Sequence, residues 1–183
     1  EMMMLNKGMN LSNEAMKTMA INAKASGKDM KEMATETAQM TVGMAKSMGV
    51  SVKAVGKNMS ELGKDFESFG HMSQKQMIAT AGYADALGVS IKSLKGMMDK
   101  FDSFEGAAES AGKLNEVMGM NIDTMAMMNA ESPAERMDML RKSFEDTGKS
   151  VSDLSRHELK AMADAAGTTA EDLKMALSTS TED

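Results

Sequence analysis

The chain contains 183 residues, with a net charge of −6, no cysteine and 25 methionines. The absence of cysteine excludes disulfides, thiol nucleophiles and cysteine-ligated zinc, and the acidic charge argues against a nucleic-acid-binding surface. No apolar run approaches the ~20 residues that span a bilayer. Methionine outnumbers leucine, isoleucine and valine combined, so we expect a core built largely from a flexible side chain that fills irregular gaps.

The first residues of the chain, from Glu1 to Leu5, lack the basic region of a secretory signal. Because the chain opens on Glu1 rather than on an initiator methionine, we expect it to be a fragment of a longer protein. Its length is compatible with one or two domains.

One local pattern recurs along the chain: a glycine, any residue, a capping residue, an apolar residue, two spacers and a second apolar residue. We call each copy a glycine corner, and the copies begin at Gly27, Gly49, Gly88, Gly119, Gly148 and Gly167. Glycine ends a helix in the left-handed conformation without the steric cost of a Cβ atom. The Asp, Ser, Asn or Thr two residues later caps the free backbone N–H groups of the next helix. Each copy therefore predicts a tight turn between two helices.

Strand signals are almost absent, whereas helix starts and stops are dense. The predicted helices cover residues 11–26, 29–48, 51–69, 73–87, 90–101, 103–118, 121–129, 133–147, 150–154, 156–166 and 169–177. Reciprocal capping boxes are expected at Asp29–Glu32, Ser73–Gln76, Ser155–Glu158 and Ser132–Glu135, the last with Pro133 pre-set for the first turn of its helix. The predicted fold class is all-α, a helical bundle of short, glycine-cornered helices preceded by longer, partly coiled-coil-like helices.

Helix length changes along the chain and predicts two domains. Residues 1–70 hold the longer helices, which we interpret as an arm that forms oligomers. In residues 71–183 the helices shorten and the corners crowd together, which predicts a compact helical domain. Methionines at helical spacing are interpreted as core in the second domain. For Met2–Met4 and for 30–48 the alternative, a surface that contacts a partner or a membrane, stays open.

The predicted helix 51–69 carries the clearest pattern for self-association. Its apolar residues alternate three and four apart, which is the period of a coiled-coil seam. We predict that this seam joins identical copies of the chain through Val52, Val55, Met59, Leu62, Phe66 and Phe69. Glycines seven residues apart run beside the seam; they either allow close helix approach or weaken the helix, at about 1 kcal/mol for each internal glycine.

No motif for catalysis or cofactor binding is complete. The Gly148 corner resembles the end of a phosphate-binding loop, but Ser143 stands where the first glycine belongs, and a helix rather than a strand precedes it. His157 opens like a zinc-protease helix, but Ala161 stands where the second histidine belongs. The carboxylates scatter over polar faces and helix starts. We therefore predict no catalytic residue, no cofactor, no metal ligand and no enzymatic activity.

A series of short motifs fills much of the region from residue 80 to residue 178. The motifs are Ala86-Leu87-Gly88-Val89-Ser90, Phe101-Asp102-Ser103-Phe104-Glu105-Gly106-Ala107-Ala108, Gly112-Lys113-Leu114-Asn115, Ser132-Pro133-Ala134-Glu135-Arg136-Met137, Thr147-Gly148-Lys149-Ser150 and Leu154-Ser155-Arg156. In order and spacing this series resembles part of the tail tape measure proteins of bacteriophages. The resemblance covers a little over half of the chain.

The resemblance implies a structural role in the virion, inside the phage tail. Proteins of this family are long, helical and present in a few copies; tail tube and baseplate or tail-tip proteins assemble around them, and they determine tail length. They leave the tail ahead of the DNA at genome ejection. The resemblance therefore implies a homo-oligomer of a few copies, with those tail proteins as partners and without nucleic-acid specificity. The part of such a protein that measures tail length, which we call the ruler, needs a long uninterrupted helix. The many glycine stops predict a terminal or inserted globular region rather than the ruler itself.

Two other classes of function stay open at this point. The first is a membrane-active or pore-forming helical protein that is delivered on infection and contacts a membrane after ejection. The polar helix faces lack the Lys and Arg bias expected of helices that seek a membrane surface. The second is a cytoplasmic helical adaptor, which predicts a soluble partner.

Overall fold

The computed structural model describes residues 29–179 continuously, together with residues 16–17, 20–21, 23–24 and 27. All regular elements of this part of the chain are helical, so the predicted all-α class is confirmed. The elements are α1 (Met30–Ser47), α2 (Val52–Lys64), α3 (Phe66–Phe69), α4 (Gln74–Leu87), α5 (Ile91–Phe101), α6 (Phe104–Met118), α7 (Thr124–Asn129), α8 (Pro133–Glu145), a 3-10 turn (Val151–Asp153), α9 (Arg156–Ala166) and α10 (Ala170–Ser178). Met2–Met4 and much of the predicted helix 11–26 lie outside the described residues.

The glycine corners adopt the predicted backbone conformation. Left-handed φ angles between 68° and 73° occur at Gly27, Gly49, Gly88, Gly119, Gly148 and Gly167. In four corners the capping side chain accepts a hydrogen bond from a backbone N–H of the following helix; these residues are Ser51, Ser90, Ser150 and Thr169. The capping boxes at Ser73–Gln76 and Ser155–Glu158 are also present.

Three caps differ from their predictions. Ser132 accepts a hydrogen bond from the Glu135 N–H, but the Glu135 carboxylate accepts its bond from the Glu131 N–H, so this box is not reciprocal. Asp29 has the extended backbone of an N-cap but makes no side-chain capping bond, so the predicted box with Glu32 is wrong. At the fourth corner, α7 begins three residues after the predicted start at residue 121, and Asp123 rather than Asn121 caps it.

The side chain of Asn115 accounts for the delayed start of α7. Its Oδ1 accepts a hydrogen bond from the Ile122 N–H at 2.7 Å, and its Nδ2 donates to the Ile122 carbonyl at 3.2 Å. The N–H of Asn121 donates to Ser143 Oγ at 2.9 Å. Because both residues bond to side chains elsewhere, this segment stays non-helical until Asp123.

The prediction of one continuous helix over 51–69 is wrong. The helix ends at Lys64, and Asp65 has φ −107° and ψ 70°, which lie outside the helical region. The Asp65 carboxylate accepts a hydrogen bond from the Ser68 N–H at 3.2 Å and thereby starts the short helix α3. The non-helical backbone of Asp65 therefore interrupts the apolar series of the predicted coiled-coil seam.

The chain divides into two compact units, unit 1 up to Ala86 and unit 2 from Leu87. The predicted boundary after residue 70 therefore lies inside unit 1. The reason is that α4 packs with the helices before it. The Asn58 amide of α2 donates to the Ala81 carbonyl at 3.0 Å, and the Gln74 amide bonds to the Thr37 hydroxyl of α1.

Unit 1 combines a core of aliphatic, aromatic and methionine side chains with buried hydroxyl groups. Val55 and Leu62 of α2 are fully buried, as are Thr37 and Thr41 of α1. Each threonine hydroxyl donates at 2.7 Å to the carbonyl four residues earlier in its own helix. Burial of these polar groups is therefore compensated locally.

Unit 2 has a core rich in methionine, as the sequence predicts. Leu94, Phe101, Leu114 and Leu140 are completely buried, and so are several thioether side chains at 0–1% exposure: Met97, Met118, Met127 and Met137. Helix α6 packs against α5, α7 and α9, while α8 packs against α5 and α10. Methionine suits these contacts because its unbranched side chain adapts to irregular spaces between helices.

Candidate functional site

The residues predicted for self-association lie largely inside unit 1. Val55, Met59, Leu62 and Phe69 are at most 5% exposed, and Val52 is half-buried. The side chain of Phe66 lies outside the described part of the structure. Contact with a second copy through the buried members of this series requires α2 to separate from its own neighbours. Self-association through the seam stays a prediction.

In unit 2, the Gly88 and Gly167 corners bond to each other. The carboxylate of Asp172, in the first turn of α10, accepts hydrogen bonds from the Ser90 N–H at 3.3 Å and the Ser90 hydroxyl at 2.6 Å. The same oxygen accepts a bond from the Ser93 hydroxyl, and Ser93 Oγ accepts a bond from the Thr169 N–H at 3.4 Å. The start of α5 is thus tied to the start of α10. We call these four residues the corner interlock.

The hydrogen bonds of the corner interlock stabilise the charged form of Asp172. Partial burial is the largest single influence and raises its pKa, but the hydrogen bonds from Ser90 and Ser93 together outweigh it. The pKa of Asp172 therefore lies below its ordinary value. The interlock holds a carboxylate at neutral pH, so Asp172 is poorly suited to act as a general acid.

A close approach of two backbones lies beside the interlock. A Cβ atom added to Gly96 of α5 would lie 2.0 Å from the Gly167 carbonyl oxygen, and one added to Gly167 would lie 2.2 Å from the Gly96 carbonyl oxygen. Any side chain at either position collides with backbone. The Gly167 corner was predicted from its local pattern, whereas nothing in the local pattern of α5 singled out Gly96.

Basic side chains bind the C-terminal ends of several helices in unit 2. Arg136 is only 3% exposed; it donates to the Met98 carbonyl of α5 at 3.0 Å and to the Asp102 carboxylate at 3.1 Å. Arg141 donates to the Ala176 carbonyl of α10 at 2.8 Å, and Lys149 donates to the Met118 carbonyl of α6 at 3.0 Å. These cations satisfy carbonyls that lack an intrahelical partner and complement the helix dipoles.

Unit 2 has a groove of about 540 Å³ between the end of α8, the 3-10 turn, α9 and α10. Its aliphatic lining is half-buried and comprises Val151, Leu154, Leu159 and Leu177. Lys149 and Lys174 also line it, with Glu145 as the one carboxylate among the lining residues. We call it the lysine groove.

The residues of the incomplete catalytic motifs either stabilise helix ends or are exposed on the surface. At the Gly148 corner, Ser150 caps the 3-10 turn and Lys149 bonds to a helix carbonyl, which leaves no phosphate-binding loop there. His157 is exposed in the first turn of α9. Within the described residues, no group of three or more histidine or acidic side chains is placed to hold a metal ion. None of the described helices has both the length and the apolar character needed to cross a bilayer.

Comparisons with protein families, with curated proteins and with solved structures find no match to this chain. The likeness to tape measure proteins therefore rests on the motif series of the sequence alone.

Proposed function

We propose that the chain is a structural component of a phage tail, a segment of a tape measure protein that acts in tail length determination and assembly and leaves the tail at genome ejection. The observation that carries the proposal is the motif series between residues 80 and 178. That series spans nearly the same part of the chain as unit 2, which begins at Leu87. A family-like series that coincides with one packed unit is what a shared structural module would produce.

The roles of the motif residues support a structural rather than a catalytic function. Gly88 and Gly148 form corners, while Ser90 and Ser155 cap helices. Asp102 pairs with the buried Arg136. These residues turn the chain, cap helices or join helices, and the function that we propose involves no chemical step, no cofactor and no metal.

Helix length supports a place beside the ruler rather than in it. The longest described helix, α1, has 18 residues, and at 1.5 Å per residue it spans only about 27 Å. In unit 2 the chain turns at each glycine corner, which keeps the helices short. We therefore propose a compact body in the tail lumen or hub, in a few copies, in contact with tail tube and baseplate or tail-tip proteins.

A pair of matched variants in the phage that encodes the parent chain tests this function. Gly96→Val forces a side chain onto the Gly167 backbone and should unfold unit 2, whereas Gly112 has no atom within 4 Å of an added Cβ, so Gly112→Ala should be tolerated. We expect Gly96→Val phage to accumulate heads without finished tails and Gly112→Ala phage to assemble normally, as seen by electron microscopy. Normal tails and normal titre in the Gly96→Val phage would contradict the proposal.

A vesicle experiment separates the alternative function. Dye-filled vesicles of anionic phospholipid are mixed with the 183-residue chain. A tail component without membrane activity leaves the dye inside. Leakage that grows with protein concentration, together with normal tails in the Gly96→Val phage, would favour the membrane-active protein.

A further inference from the structure

The most exposed large apolar side chain of the described residues is Phe104, at 65% exposure. It occupies the first position of α6, and most of its surface is exposed to solvent. Isolated exposed apolar residues are common on soluble proteins. Phe104 differs because exposed carboxylates flank it on both sides, at Asp102 and Glu105. It is therefore an aromatic knob with an acidic border.

The lysine groove on the same unit has the complementary character. Its half-buried aliphatic residues form an apolar floor that is partly exposed to solvent. Its volume of about 540 Å³ lies within the range of ~300–1,000 Å³ that is typical of ligand-binding pockets. Lys149 is held in place by its bond to Met118, while Lys174 is exposed. Two lysines against the single carboxylate of Glu145 give the groove a positive balance, in a chain whose net charge is −6.

The knob and the groove do not meet within one copy. Phe104 is not among the residues that line the groove, and its 65% exposure shows that it is not seated elsewhere in its own unit. A knob and a groove that do not meet within one copy fit a second copy of the same molecule in a head-to-tail arrangement.

We propose that unit 2 associates head to tail, with Phe104 of one copy inserted into the lysine groove of the next. Glu105 then lies against Lys174, so that a pair of opposite charges borders the buried ring, while Asp102 keeps its bond to Arg136. Such a contact is heterologous, and it continues from copy to copy until it closes into a ring or remains an open chain. The inference does not depend on the proposed function, because an adaptor protein could associate in the same way.

This interface differs from the predicted seam of α2 in one decisive respect. Val55 and Leu62 of the seam are fully buried, so a seam contact requires unit 1 to open first. Phe104 and the lysine groove are accessible in the folded chain. Association through them requires no unfolding.

Sedimentation velocity of the full 183-residue chain over a wide concentration range tests the proposal. We expect the mean mass to rise with concentration. Phe104→Ala should weaken the association about tenfold or more, because a buried aromatic ring is lost from the contact. Val117→Ala is the matched control, since Val117 lies on the same helix and is 48% exposed but has no part in the contact.

Two further variants test the geometry. Lys174→Glu should weaken association by placing a carboxylate beside Glu105, and adding Glu105→Lys should restore it. A mixture of Phe104→Ala chains, which keep the groove, with Lys174→Glu chains, which keep Phe104, should form dimers that grow no further. Circular dichroism verifies that each variant is folded.

The contrary results are equally distinct. A wild-type chain that stays monomeric at every concentration would overturn the proposal. So would association that Val117→Ala weakens as much as Phe104→Ala does. Association that is lost in folded Val55→Asp chains but unchanged in Phe104→Ala chains would assign self-association to the seam of α2 instead.

Discussion

Units 1 and 2 use the same corner chemistry but hold their helices together in different ways. In unit 1 side-chain amides join the helices, Asn58 to the Ala81 carbonyl and Gln74 to Thr37, and Gly82 of α4 faces the flexible side chain of Met48. In unit 2, by contrast, backbone meets backbone at Gly96 and Gly167. Buried arginines and the corner interlock then tie separate helices to one another. The comparison shows that local turn signals alone do not determine which contacts join the helices of a unit.

The largest expected effect comes from filling the backbone crossing of unit 2. A Cβ at Gly96 would lie 2.0 Å from the Gly167 carbonyl oxygen. Because that oxygen belongs to the backbone, α5 and the Gly167 corner would have to move apart. We expect Gly96→Ala to destabilise unit 2 by more than about 4 kcal/mol, the exceptional range for a single substitution. Urea unfolding followed by circular dichroism measures this effect.

The control for this variant is Gly112→Ala in the exposed middle of α6, where an added Cβ meets no atom within 4 Å. It should stabilise the chain by up to about 1 kcal/mol through helix propensity. Equal behaviour of the two variants would show that the crossing does not constrain unit 2.

Removing a buried cation should have the next largest effect. Arg141→Met leaves the Ala176 carbonyl of α10 without its partner, and we expect a loss of about 2–3 kcal/mol. The exposed Arg156 in the first turn of α9 is the matched site. Thermal unfolding of Arg156→Met should stay close to wild type; a similar loss in both variants would assign the effect to charge rather than to the helix end.

The corner interlock predicts a dependence of stability on pH. Because the folded-state pKa of Asp172 is lowered by its hydrogen bonds, its contribution is complete above the ordinary carboxyl pKa. It is lost as the pH falls toward the folded-state pKa. Asp172→Asn should cost about 1 kcal/mol at neutral pH and should reduce the acid sensitivity of unit 2. Urea midpoints measured from neutral to acid pH test this, and parallel curves for the variant and wild type would contradict it.

The smallest effect is expected at the corresponding close contact of unit 1. A Cβ at Gly82 would lie 2.8 Å from the Met48 sulfur, but that sulfur belongs to a side chain that turns aside easily. Gly82→Ala should therefore change stability by less than about 1 kcal/mol, since the gain in helix propensity offsets the contact. A loss as large as that of Gly96→Ala would remove the contrast between the units.

Sequence reasoning succeeded where the signal is local. A glycine and a cap two residues later specify φ and a hydrogen bond within one turn, so Gly49 with Ser51 and Gly167 with Thr169 were correctly placed. The break at Asp65 and the delayed start of α7 were missed because the first is set by a competing cap and the second by the Asn115 side chain.

The contacts that join helices were beyond the reach of a single sequence. Asp172 meets Ser90 across 82 residues, and Arg141 meets Ala176 across 35. Both residues match the solvated polar pattern of a helix surface until the helices are packed. The lysine groove was missed for the same reason, since its lining comes from four separate elements.

The most direct test of the proposed role is the protein content of purified virions before and after DNA ejection, measured by quantitative mass spectrometry. Peptides from residues 87–183 should be present at a few copies per intact particle and depleted from tails that have ejected their DNA, while tube protein stays constant. Absence of these peptides from intact virions, or their full retention after ejection, would contradict the account.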